Sequence, residues 1–209
     1  MRKKFDEELR HLNNLLLEMA MLNETAIKKS ISLLDDKDEA IAMEVSNYEE
    51  RTDVYEGIIQ KQCLKIFVEQ QPAASDLRRV SAALKMITDM ERIGDNARDI
   101  AEICMMLPDD YASNKFPLVK QMAEATIALL NKSIDSFVNM DIDSANKIDD
   151  EDDVVDNYFV MIRDELIDII KSDFDPAAAI DIIMIAKYLE RISDHAVNIA
   201  KWVIFSIKG

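Results

Sequence analysis

Glycine, proline, cysteine and histidine are all scarce in this chain of 209 residues, which has three Gly, four Pro, two Cys and two His. Strand-rich folds need many turns, and turns draw on Gly and Pro, so an all-β architecture does not fit. The cysteines, Cys63 and Cys104, lie far apart, each inside an apolar helical pattern. Buried free thiols are expected there rather than a disulfide, which suits a reducing compartment such as the cytoplasm. The histidines, His11 and His195, form no Glu-x-x-His pair of the kind used by di-iron carboxylate enzymes. A Gly-rich phosphate loop and a Gly-x-Ser-x-Gly elbow are both missing. The apolar runs are too short to span a bilayer, and the opening "MRKKFDEELRHL" has no apolar core of a secretory signal. Positive charge is also short: 25 Lys and Arg face 41 Asp and Glu, a net of −16. That surface argues against direct nucleic-acid binding and against adhesion to anionic lipid, so any membrane association would run through partners. Cations are its natural small ligands.

Apolar residues make up 49% of the chain and recur at steps of three and four almost throughout, which is the period of buried helices. The breaks fall at "LLDDKD", "EQQPAASD", "LPDDYASNKFP", "NMDIDS" and "SDFDP", leaving six helical segments. Ser75 or Asp76 is a candidate cap for the third, and Asp175 followed by Pro176 for the sixth. The segments repeat. Shifted by 103 positions, Lys29, Ser30 and Ile31 fall on Lys132, Ser133 and Ile134; Asp53 falls on Asp156 and Tyr55 on Tyr158. Beyond the prolines the shift is 99, which aligns "ERIGDNARDIAEI" from Glu91 with "ERISDHAVNIAKW" from Glu190. The fold expected is all-α: two tandem three-helix bundles, residues 1–107 and 108–209.

Within those echoes acids recur four residues apart. Glu91, Asp95 and Asp99 form one row, matched by Glu190, Asp194 and Asn198. On a helical wheel both rows lie opposite the apolar seam, so they are expected on an outer face. Glu49 and Asp53 align with Asp152 and Asp156. Like charges at i, i+4 cost a few tenths of a kcal/mol per pair unless something neutralises them. A solvated charged face is one reading. The other is a hard cation held by carboxylates from adjacent helices. Arg92 and Arg191 are expected to pair with acids on a neighbouring helix. Gly94 and Ser193 suggest close helix approach. His195 is read as a surface side chain or an accessory ligand, and Trp202 with Phe205 as packing for the bundle end. No nucleophile–base set emerges, so no catalytic residue is assigned.

Together, "QQPAASDLRRV" from Gln70, "ERIGDNARDIAE" from Glu91 and "LERISDHAVNIAKW" from Leu189 resemble the PhoU family of phosphate-uptake regulators over the whole chain. The resemblance implies a cytoplasmic all-α regulator, often a homodimer. It implies action with the ATPase subunit of a phosphate ABC transporter and with a phosphate-sensing histidine kinase. It also implies metal ions (iron, or Mg, Mn or Zn) on Glu/Asp-x-x-x-Asp motifs. Here these match Glu49 and Asp53, Glu91 and Asp95, Asp152 and Asp156, and Glu190 and Asp194. Asn198 stands where the first repeat has Asp99, so the two sites are expected to differ. The competing readings are a metal-storage or redox protein using carboxylate-bound iron, and a structural bundle with solvated acids.

Overall fold

The computed structural model describes residues 2–70, 72–108, 116–171 and 174–209. Its long helices are α1 (Arg2–Ser32), α2 (Glu39–Gln70), α3 (Ala74–Met106), α4 (Pro117–Asn139), α6 (Ile148–Ile170) and α7 (Pro176–Lys208). They fall between the breaks read from the sequence. At the "NMDIDS" break the chain adds a short α5 (Ile142–Ala145), in which Asp141 accepts a hydrogen bond from the Ser144 amide at 3.0 Å. Of the segment joining the halves, residues 109–115 lie outside the described part.

Helix starts follow the caps in one case and not in the other. Asp175 caps α7 by accepting from the Ala177 amide at 2.9 Å, with Pro176 in the first turn. At α3 neither Ser75 nor Asp76 is the cap; that position belongs to Ala73, with no side-chain hydrogen bond. Both candidates lie inside the first turn, where Asp76 still complements the helix dipole.

Helices α1, α3, α4 and α7 form the centre. Along α3, Arg78 neighbours Gly209, Asp89 meets Asn198 and Asp99 meets Tyr188, so α3 and α7 run antiparallel. Likewise Glu24 bonds Asn131 and Asp35 bonds Lys120, which makes α1 and α4 antiparallel. In the 99-residue register Asp89 corresponds to Tyr188 and Asp99 to Asn198. The two α3–α7 pairings are therefore equivalents about an internal two-fold. The outer helices keep to their own halves: α2 packs on α1 and α3, α6 on α4 and α7. The repeats do not form separate cores. One cluster of buried side chains runs from Phe5 to Val203, including Leu16, Met90, Phe137 and Ile192. Full burial of each such side chain contributes about 1.5–3 kcal/mol.

Gly94 sits where α3 passes α1 and α2. A Cβ there would lie 3.3 Å from Thr52 Cγ2 and 3.4 Å from Asn23 Oδ1. Asn23 Nδ2 donates to the Met90 carbonyl at 2.7 Å, which ties α1 to α3 at the same crossing. The close approach expected at this glycine is present.

Candidate functional site

Because α2 packs on α3 and α6 on α7, each outer helix brings its acid pair against the acid row of an inner helix. Glu49 and Asp53 face Glu91 and Asp95 in the first half. Asp152 and Asp156 face Glu190 and Asp194 in the second. The electrostatics bear the marks of crowding. Burial raises the Glu49 carboxyl above its ordinary value; Arg98 opposes this, and Asp53 and Asp95 add to it. Glu91 is raised by burial and then by Asp95, with Arg92 opposing. Asp152 is raised by burial, with the neighbouring Ser193 opposing and Asp156 and Asp194 adding repulsion. Asp156 is raised by burial, then by Glu190, Asp194 and Asp153, with Lys187 opposing. Desolvation and like charge both disfavour the ionised carboxylate.

The rows are not simply an outer face. Glu49 is only 7% exposed, while Glu91, Asp95, Asp152 and Glu190 are half-buried. A helical wheel places a residue relative to its own core seam and takes no account of a second helix beside it. Asp99 and Asn198 do not join these clusters. Both turn into the seam between the halves, where Asp99 lies beside Tyr188 and Asn198 Nδ2 donates to Asp89 Oδ1 at 3.3 Å. The same Asp89 oxygen lies 2.9 Å from His195 Nδ1. An ionised carboxylate only accepts, so Nδ1 carries the proton. His195 thus links the repeats rather than lying free on the surface.

The arginines also depart from expectation. Arg92 pairs along its own helix, with Asp95 at 2.9 Å and Glu91 at 3.3 Å. Arg191 lies over the Tyr188 ring one turn earlier, 5.7 Å from its centroid. The cross-helix pair is one the sequence reading missed: Arg98 Nη1 to Glu49 Oε1 at 2.7 Å. Its signal was present, since "NARDI" reads "HAVNI" in the second repeat. Val197 stands at the position of Arg98, so the second cluster lacks the cross-helix arginine of the first. In the second, Lys187 Nζ lies 2.7 Å from Glu190 Oε2 without hydrogen-bond alignment, and Asp152 Oδ1 is buried without a hydrogen-bond partner. Trp202 and Phe205 meet edge to face, with centroids 6.0 Å apart, at the end of α7.

The donor set, all carboxylate oxygen, fits a hard cation. Among the described residues, however, no three His, Cys, Asp or Glu side chains converge closely enough to hold an ion as they stand. Several carboxylates are turned instead to Arg92, Arg98 and Lys187. Exposed pairs of this kind are worth under about 1 kcal/mol, so a polyvalent cation can displace most of them. The Arg98–Glu49 pair is the least exposed and the hardest to open.

Both thiols are free and buried, as expected. No helix among the described residues is long and apolar enough to cross a membrane.

The family model "PhoU domain" matches the chain twice, at residues 16–104 and 119–203. A phosphate-specific transport system accessory protein PhoU homolog from Burkholderia sp is 32% identical over 210 residues, covering 99% of this chain and 89% of that one. The homolog of the same name from Pseudomonas aeruginosa is 31% identical, covering 99% and 86%. The crystal structure of PhoU from Pseudomonas aeruginosa superposes with a TM-score of 0.88 at 31% identity, over 98% of this chain and 99% of that one. A Streptococcus pneumoniae structure superposes at 0.89 over 98% and 97%; at 24% identity it bears on the fold alone.

Proposed function

The chain belongs to the PhoU domain family, and on that premise we propose that it is an accessory regulator of a phosphate-specific transport system. The observation that carries this is similarity end to end, through both repeats, to accessory proteins of such systems. In this reading the chain works in the cytoplasm as a non-enzymatic adaptor and homodimer. It engages the transporter's ATPase subunit and a phosphate-sensing histidine kinase, and dampens uptake and the starvation response when phosphate is plentiful. Deleting its gene should raise phosphate uptake and starvation-gene expression in phosphate-rich medium, and the intact gene should reverse both. Unchanged uptake and expression in the deletion strain would refute the regulatory role.

The acid clusters are read as cation sites within that adaptor. Asp152, Asp156, Glu190 and Asp194 would hold one ion or more, and Glu49, Asp53, Glu91 and Asp95 another set. A bound cation would supply positive charge that cancels repulsion between the rows and fastens each outer helix to its inner neighbour. Support comes from burial, joined by the crowding of like charge, which together raise Glu49, Glu91, Asp152 and Asp156.

A further inference from the structure

The seam between α3 and α7 ends differently on its two sides. Beside the His195–Asp89 contact lies a cleft of about 390 Å³, lined by Asp89 of α3 and by Asn198, Lys201, Trp202 and Phe205 of α7. The four α7 residues stand at i, i+3, i+4 and i+7, a single stripe of the helix. In the 99-residue register their counterparts, with that of Asp89, are Asp99, Glu102, Ile103, Met106 and Tyr188. No position is kept, so the cleft is not a by-product of the repeat. None of its residues belongs to the two acid clusters read as cation sites.

Each lining group has something left to offer a ligand. Asp89 Oδ1 receives both His195 Nδ1, at 2.9 Å, and Asn198 Nδ2, at 3.3 Å. These contacts hold the carboxylate in place, and among the described residues no hydrogen bond reaches its Oδ2. Asn198 keeps its amide oxygen and one N–H. Lys201 Nζ lies 3.6 Å from Asp149, too far for a hydrogen bond, and its side chain is 64% exposed. Such a pair exchanges easily. Trp202 is half-buried and Phe205 exposed, and their rings meet at 90°. A flat ring stacked on one stands edge-on to the other, and both arrangements are favoured between aromatic groups.

We propose that this cleft binds an adenine nucleotide, with the base against Trp202 and Phe205, the base edge on Asn198 and Asp89, and the phosphate on Lys201. The polar groups select the ligand. An amide that offers one donor and one acceptor matches adenine N7 and the N6 amino group, the pairing by which Asn reads this base. The second N6 hydrogen suits Asp89 Oδ2. Guanine bound by the same edge would turn O6 toward the Asn198 oxygen and the Asp89 carboxylate, acceptor against acceptor. An aliphatic ligand would leave Asp89 Oδ2 without a donor, and a cationic one would be opposed by Lys201. Inorganic phosphate would leave the aromatic corner unused. The inference concerns a different part of the molecule from the cation clusters and stands whether or not the regulatory reading holds.

Trp202 is the only tryptophan of the chain, so its emission reports on this cleft. The test titrates the full chain, in EDTA, with AMP, adenosine, GMP and inorganic phosphate. Excitation at the red edge of the indole band avoids nucleotide absorption, and equilibrium dialysis with radiolabelled AMP measures binding independently. AMP should quench Trp202 saturably, and bind at least tenfold tighter than GMP or phosphate and several-fold tighter than adenosine. Asn198→Ala and Phe205→Ala, both at exposed side chains, should each weaken AMP several-fold with circular dichroism unchanged. Lys201→Ala should bring AMP down to the affinity of adenosine. No saturable binding of AMP at millimolar concentration would overturn the proposal. So would equal affinities for AMP and GMP, since the base edge would then not be read. Phosphate binding as tightly as AMP would reduce the effect to attraction by a lone ammonium and would also overturn it. Unchanged AMP affinity in folded Asn198→Ala or Lys201→Ala would do the same.

Discussion

Glu49 is a carboxylate sunk between two helices, and Arg98 is what makes that position tolerable. Removing one partner of a shielded pair costs more than the pair is worth, because the other charge is left without compensation. Arg98 is a third exposed, so the full penalty of a deep pair does not apply. Arg98→Met should destabilise by roughly 2 kcal/mol in urea unfolding. Adding Glu49→Gln should return most of the loss, since the stranded charge is gone. Additive losses in the double variant would mean that the two side chains act independently. Glu8 gives the opposite titration from the crowded acids. Hydrogen bonds from Lys65 and then Gln62 hold it below the ordinary 4.5. A depressed carboxyl contributes stability that is present above its unfolded pKa and lost as pH falls through the folded one. Stability should therefore decline from about pH 4.5 downward, and Glu8→Gln should make that decline shallower. An identical acid profile for Glu8→Gln would remove Glu8 as a contributor.

At the scale of elements, most of the fold was legible because each helix announces itself locally. The three- and four-step apolar pattern, the Asp175–Pro176 start and the doubled register all lie within one stretch of chain. The α3 start was misplaced because Ser75 and Asp76 are both suitable caps, and only the backbone decides which residue precedes the first turn. The cross-helix partners were hidden for another reason. Arg98–Glu49 and His195–Asp89 join residues 49 and 106 positions apart. Such contacts depend on which helices pack, and no periodicity encodes that. Even so, the Arg98-to-Val197 difference was visible in the aligned repeats. The caps give a direct comparison. Asp175→Ala should cost about 1 kcal/mol by loss of the bond to the Ala177 amide, whereas Ser75→Ala should stay within about 0.5 kcal/mol. Equal losses from the two would mean that Asp175 contributes nothing as a cap.

Across the whole molecule, two repeats share one core but not one charge state, and a metal titration should expose the difference. Without metal, Asp95→Asn and Asp194→Asn each remove a charge with little change of size, so each should be neutral or slightly stabilising. A cation that binds only the folded chain raises Tm as its concentration rises. The first cluster must give up Arg98 from Glu49 before it can use that carboxylate, while the second offers Asp152 without an ion pair. Asp194→Asn should therefore abolish more of the rise in Tm with Mn²⁺ than Asp95→Asn does. Arg98→Val, which copies the second repeat into the first, should lower Tm in EDTA yet enlarge the rise. Such a reversal between metal-free and metal-loaded protein does not arise if the acids are merely solvated. Equal shifts for wild type and the Asp95→Asn, Asp194→Asn double variant would remove both clusters as cation sites. A larger loss from Asp95→Asn than from Asp194→Asn would instead keep the sites and overturn the role given to Arg98.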